Sequence, residues 1–291
     1  MFLDRWHALF LSRIRVRAKQ RIVWLAFVMI LLQTVSVWGG LAPDFSGKKS
    51  MTSHPDAGMI LISEGPFMMG SSGEDIEWVV RTFHSASREW YQDETPMQEI
   101  YLGSYYIDRL EVTNSKYTEY MQATSKSAPK YWDNPRFNKP DQPVVGVNFQ
   151  EALEYCLWAG KRLPSEAEWE KAARGEDSRK FPWGNEPDPT RANVLGLKDK
   201  YRYTSSTGNY LKGKSPYGVM DMAGNVWEWT SAWYQPYQNS KHTNEMFGQT
   251  LKVVRGGSWN SNMDLARTAI RGKVLPKQQQ SYIGFRCVMQ P

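Results

Sequence analysis

Asn148-Phe-Gln-Glu-Ala-Leu-Glu-Tyr-Cys-Leu-Trp-Ala-Gly-Lys-Arg-Leu-Pro-Ser-Glu-Ala-Glu-Trp-Glu-Lys-Ala-Ala-Arg-Gly175 carries the clearest local code in the chain. Asn148 and Glu151 stand in the relation of a helix cap to its third residue, so each side chain can satisfy the other's backbone N–H. Phe149, Ala152, Leu153, Cys156 and Leu157 recur at i, i+3, i+4, i+7 and i+8, which predicts one apolar helix face. Gly160 is placed to end that helix. Ser165 and Glu168 repeat the capping box, with Trp169, Ala172 and Ala173 turned inward and Gly175 as the stop.

Outward from this pair the pattern changes. Met59 to Gly70 reads as two short strands about Glu64-Gly65-Pro66. Residues 71–93 read as a loop with a helix, since Ile76, Val79, Val80 and Phe83 keep helical spacing. Strand character returns at Gln98–Asp108. Asn114 is read as the cap of a helix with Tyr117, Tyr120 and Met121 on one face. Beyond residue 176 the chain is turn-rich, with short apolar bursts and many aromatics. The class is α+β, without internal repeats or low-complexity tracts.

Length allows one large domain plus an anchor, and 13 Trp with 15 Tyr allow a sizeable core. The net charge of +6 is concentrated: residues 1–21 hold six Arg or Lys against Asp4. The basic pI therefore gives no reason to expect nucleic-acid binding. Residues 22–43 carry no charge and suffice to span a bilayer, which takes roughly 20 residues as a helix. The basic flank predicts a cytoplasmic N-terminus and an exported C-terminal domain. The segment reads as a signal anchor in the inner (cytoplasmic) membrane, or as a signal peptide releasing the protein to the periplasm. A mean hydropathy of −0.58 argues against several spans. Residues 44–57 read as a linker and 58–291 as the folded domain.

Several blocks then occur in order: Gly65-Pro-Phe-Met-Met-Gly70, Asp93-Glu-Thr-Pro96, Ile107-Asp-Arg-Leu-Glu-Val-Thr-Asn114, Pro143-Val-Val-Gly-Val147, Trp158-Ala-Gly-Lys-Arg-Leu-Pro-Ser-Glu-Ala-Glu-Trp-Glu170, Asp221-Met-Ala-Gly-Asn-Val-Trp-Glu-Trp229, Val254-Arg-Gly-Gly-Ser-Trp259 and Gly284-Phe-Arg-Cys287. From Gly58 to Cys287 the chain resembles the formylglycine-generating enzyme (sulfatase-modifying factor) family. The resemblance implies a fold related to C-type lectins, with much irregular structure. It also implies a disulfide between Cys156 and Cys287. Calcium is implied at Asp221, Gly224, Val226 and Glu228, and at a second set of Asn193, Val194, Asp199 and Tyr201, where oxygen ligands suit the ion.

The same resemblance marks a departure. Copper-binding members hold the metal between two cysteines after Gly-Gly-Ser, and those positions here are Ser261 and Ala266. A hydroxyl and a methyl do not replace a thiolate pair, so no copper is expected. Tyr282 and Ile283 precede the last block where copper-binding members often have Asn. Trp227 and Ser258 match residues lining the family's cleft. Arg267 and Arg271 are read either as an anion-binding wall or as buried partners of carboxylates. Trp227, Trp229, Trp233 and Tyr234 are read as a peptide groove or as core. His54, His84 and His242 show no spacing for a metal triad, and no three-histidine iron domain is present.

The expectation is a non-catalytic, membrane-tethered domain that binds a protein or peptide partner in assembly or maturation of envelope proteins. The alternative is a copper-independent oxidoreductase, like the family member proposed to act in pyoverdine maturation. A formylglycine-generating oxidase ranks third.

Overall fold

A computed structural model of the protein describes residues 57–84, 87–196 and 200–291. The basic segment, the expected span at 22–43, His54 and most of the linker lie outside them, as does Asp199. Among the described residues no helix is long and apolar enough to cross a membrane.

The chain opens with β1 (Met59–Ile62) and β2 (Gly65–Met69). They do not pair with each other. β1 pairs antiparallel with β4 (Tyr105–Asp108), Met59 opposite Asp108. β2 pairs with β3 (Gln98–Leu102), Phe67 opposite Ile100. The strand expected across 98–108 is thus broken at Gly103-Ser104, and its halves serve different sheets. Helix α1 (Gly73–Phe83) follows β2, with Ser72 and Asp75 forming a capping box. It buries Ile76 and Val79.

Helix α2 (Asn114–Thr124) is capped by Thr113, one residue earlier than expected. Asn114 is instead the first helical residue, and its amide donates to the carbonyls of Phe137 and Lys139. Helix α3 (Phe149–Trp158) and helix α4 (Glu166–Arg174) both form with the expected capping boxes. On α3 the buried residues are Ala152, Tyr155, Cys156 and Trp158, whereas Leu157 is 46% exposed. The buried stripe is rotated toward the aromatics because Tyr155 stacks on Tyr117 of α2, with centroids 5.6 Å apart. Helix α4 has no solvent face: Glu166, Glu170, Lys171 and Arg174 are buried with Trp169, Ala172 and Ala173.

The turn-rich reading beyond residue 176 omitted a sheet. β5 (Trp227–Trp233), β6 (Lys252–Arg255), β7 (Gly272–Val274) and β8 (Ile283–Gly284) lie in the order β7-β6-β5-β8. These strands are short, and none alternates buried with exposed residues in the way that marks a half-buried strand. β9 (Val288–Met289) joins β4. The largest apolar cluster joins Tyr117, Tyr120, Tyr155, Trp158, Trp229 and Phe285. At its edge Cys156 of α3 is disulfide-bonded to Cys287, which fastens the C-terminal strand to the helical layer.

Candidate functional site

The segment Gly256-Gly-Ser-Trp-Asn-Ser261 leaves β6 and turns back on the short 3-10 helix Met263–Ala266. Gly256 and Gly257 both have positive φ, and a side chain on Gly257 would meet the Leu265 carbonyl at 2.6 Å. Gly257 thus lets the loop run against that helix, while a side chain on Gly256 would meet the Trp169 ring at 3.0 Å. Ser258 is buried; its Oγ donates to Asn260 Oδ1 at 2.6 Å and lies 3.0 Å from Ser261 Oγ. The Ser258 N–H donates to Ser261 Oγ at 3.1 Å. Ala266 is fully buried with Ala192, Val194 and Ala223. Ser261 therefore closes a local turn, and Ala266 is core.

Trp227, half-buried at the start of β5, packs against the cluster of Ile76, Val79, Tyr91 and Ile270. Helix α1 thus supplies one wall of the region around Trp227. Trp229 is fully buried, with its indole N–H donating to the Val147 carbonyl. Tyr234 is buried too, and its hydroxyl donates to Asp93 at 2.5 Å. These two belong to the core rather than to an open groove, whereas Trp233 is half-buried.

The arginines of this region are all paired. Arg267 makes a bidentate pair with Glu94, at 2.9 and 2.6 Å, and lies over the Tyr91 ring. Arg271 grips Glu166 at 2.7 and 3.0 Å and donates to the carbonyls of Asp93 and Gln235. Arg255 bridges Glu166 and Glu170, and Arg174 reaches Glu170. The anion-binding wall is thereby excluded in favour of internal ion pairs. Burial would push the Glu166 carboxyl up, but the guanidiniums of Arg271 and Arg255 outweigh it and the net shift is downward. Burial pushes Asp93 up, against the pull of its Tyr234 hydrogen bond.

The sequence reading missed these carboxylates. Glu94, Glu166 and Glu170 fall inside acidic or capping stretches, and Glu166 looks like an ordinary first-turn acid. Only the fold aims it at Arg255 and Arg271.

The two calcium sets differ in fitness. Both oxygens of Glu228 are engaged by Arg286, at 2.7 Å each, and Oε2 also accepts from the Trp169 indole at 2.8 Å. Asp221, at φ 55°, accepts from the Gly208 N–H. Burial and the neighbouring charges of Asp221 and Glu228 hold the Glu111 carboxyl well above its usual range. With Glu228 already neutralised by a cation, the set Asp221, Gly224, Val226 and Glu228 does not fit calcium. Asn193 fits better. Its amide donates to the Tyr203 carbonyl and to Asn225, while its Oδ1 is buried with no partner among the described residues. An oxygen left so is what a cation would satisfy. Val194 follows Asn193 directly, and Tyr201 lies eight residues beyond Asn193. Gly224 forms a parallel bridge to Asn193, so the two sets share one wall.

The remaining expected residues form no common site. His84, exposed at the left-handed end of α1, and His242, beside Phe247, do not come together. Tyr282 accepts from the Trp227 N–H through its carbonyl, and Ile283 pairs with Trp227.

This architecture has known relatives. The sulfatase-modifying factor enzyme 1-like domain matches residues 45–291. The chain therefore belongs to the sulfatase-modifying factor family. It is 27% identical to the formylglycine-generating enzyme of Bos taurus, covering 80% of this chain and 75% of that one. It is 35% identical to the serine/threonine-protein kinase pkn1 of Chlamydia caviae over 70% of this chain, which spans only 36% of the kinase's length. The structure of PvdO from Pseudomonas aeruginosa superposes with a TM-score of 0.66 at 25% identity, over 80% of this chain and 94% of that one.

Proposed function

We propose that this is a non-catalytic, membrane-anchored member of the family, which binds a protein or peptide partner in the envelope through the surface around Trp227. One observation carries the reading. The chain has two cysteines, and both are joined in the Cys156–Cys287 disulfide, so no thiol remains to hold copper beside Ser261 and Ala266. Half-buried Trp227 and exposed Trp90, whose neighbour Tyr91 packs in the same cluster, offer aromatic anchors for a peptide. The disulfide suits an oxidising, extracytoplasmic compartment, in keeping with export through an anchor at 22–43. Calcium bound at Asn193, the carbonyls of Val194 and Tyr201, and Asp199 would satisfy the unpartnered Asn193 oxygen and stiffen that wall. It is a structural role, and no chemistry runs through it.

The test is to purify the full chain without chelator, measure bound metals by mass spectrometry, and follow oxygen consumption with a cysteine-containing peptide. Calcium without copper, and no oxygen uptake, is the expected result. Stoichiometric copper, or peptide-dependent oxygen uptake by the unaltered chain, overturns the reading. Uptake without copper would instead favour the copper-independent oxidoreductase, which the likeness to PvdO supports.

A further inference from the structure

Away from Trp227, the first turn of α2 and the loop 132–140 enclose a cavity of about 400 Å³ that opens to solvent. This size lies in the range of small-molecule sites, roughly 300–1,000 Å³. The loop is held in place by protein bonds rather than by chance contact. The Asn114 amide donates to the carbonyls of Phe137 and Lys139 at 2.8 Å each, and the Ser115 N–H donates to the Pro140 carbonyl at 2.9 Å. On its far side the loop is pinned by Phe137, which is buried against Tyr131, Tyr203 and Trp259.

The lining has a definite chemistry. Trp132, half-buried, supplies an apolar wall and an indole N–H without a partner among the described residues. Glu119 and Asp133 bring two exposed carboxylates, and Ser115 and Asn138 bring a hydroxyl and an amide. None of these four side chains is bonded to another described residue. Asn114 is only 4% exposed, and with its amide N–H groups engaged its Oδ1 remains available. The set mixes several acceptors with a few donors, which suits a ligand whose groups both donate and accept, as hydroxyls do.

Other ligand classes fit less well. An anion would meet two carboxylates, and the first N–H groups of α2 are already taken by the Gln142 and Pro140 carbonyls and Thr113 Oγ1. A bare metal ion would need six to eight oxygens converging at about 2.4 Å, which a cavity this wide does not offer. An organic cation without acceptors would suit Glu119 and Asp133 but would leave the Trp132 indole N–H and the Asn138 amide N–H groups without a ligand partner. A neutral ring with hydroxyls on its edge and C–H groups on its face meets every group present. We propose that this cavity binds a polyhydroxyl ligand, a sugar ring or short glycan, against Trp132.

The experiment uses the full chain labelled with 5-fluorotryptophan, in a detergent free of sugar and choline groups. Fluorine NMR follows the Trp132 resonance, assigned by its loss in Trp132→Phe. The probes are glucose, N-acetylglucosamine, maltose, N-acetylchitobiose and choline chloride. The expected result is a saturable shift of that resonance with at least one sugar, weakened about tenfold or more, a loss of one or two hydrogen bonds, in Asp133→Asn. Asp133 is exposed, so this variant leaves the fold intact. The proposal is overturned if no sugar gives a saturable shift, if Asp133→Asn binds as well as the parent, or if choline chloride alone shifts the signal.

Discussion

Replacing Glu166 by Gln keeps the shape of the side chain and removes its charge. In the parent, Glu166 accepts from Arg255 at 2.9 Å, from Arg271 at 2.7 and 3.0 Å, and from Tyr237 at 3.2 Å. Arg255 would keep Glu170. Arg271 would not keep a strong partner: its side chain is 1% exposed, and what remains are two backbone carbonyls and the faces of Tyr234 and Tyr237. Its nearest acid, Asp93, is itself pushed toward the neutral form by burial. Leaving one buried charge unpaired costs about 3–5 kcal/mol. A domain of this size has on the order of 5–15 kcal/mol in total. With a urea slope of roughly 2–3 kcal/mol/M, the unfolding midpoint falls by about 1–2 M. The double variant Glu166→Gln/Arg271→Met removes the orphaned charge as well and regains much of the loss. Urea titration of the full chain by tryptophan fluorescence checks both. The pH dependence has a fixed sign. Glu166 is held below its usual range, so its contribution is full above the unfolded value of about 4.3 and fades as pH falls through the lower folded value. Glu166→Gln lacks that acid-side loss. A single-variant cost under about 1 kcal/mol, as for an exposed pair, or a double variant no better than the single, refutes the reasoning.

Cys156→Ala/Cys287→Ala opens a crosslink spanning 131 residues, which in the chain-entropy model costs roughly 5 kcal/mol, read as a lowered urea midpoint. Calcium in hundredfold excess over its dissociation constant raises stability by about 2.7 kcal/mol, and Asn193→Ala abolishes the calcium-dependent part of the thermal midpoint. Ser261→Cys/Ala266→Cys gains copper(I) binding, measured by metal analysis after dialysis; a folded variant that binds none shows these positions are not the family's cysteine pair. Gly224→Ala lowers the unfolding midpoint strongly, by about 3 kcal/mol or more, because φ is +77° and the new Cβ would lie 2.2 Å from the Asn193 carbonyl oxygen.

Much of the fold was legible because its signals are local. A capping box needs three residues and a helix stop needs one glycine, so α3, α4 and their ends follow from residues 148–175. Ordered blocks identify the family and place Cys156, Cys287, Ser261 and Ala266. The sheet beyond residue 176 was not legible, because its strands are two to seven residues long and show no alternation of buried and exposed residues. Buried pairing was one of two readings for Arg267 and Arg271, but their partners Glu94 and Glu166, 173 and 105 residues away, were not legible. Glu228 reads in sequence as a metal ligand, yet Arg286, 58 residues on, takes both its oxygens. By itself, then, the sequence determined the helices, the family and the lack of cysteines at 261 and 266, since each depends on residue identity or near-neighbour spacing. Only the tertiary structure decided which charges meet, which oxygen is left without a partner, and that α2 and the loop 132–140 enclose a cavity. Those depend on distances between segments that no local pattern encodes.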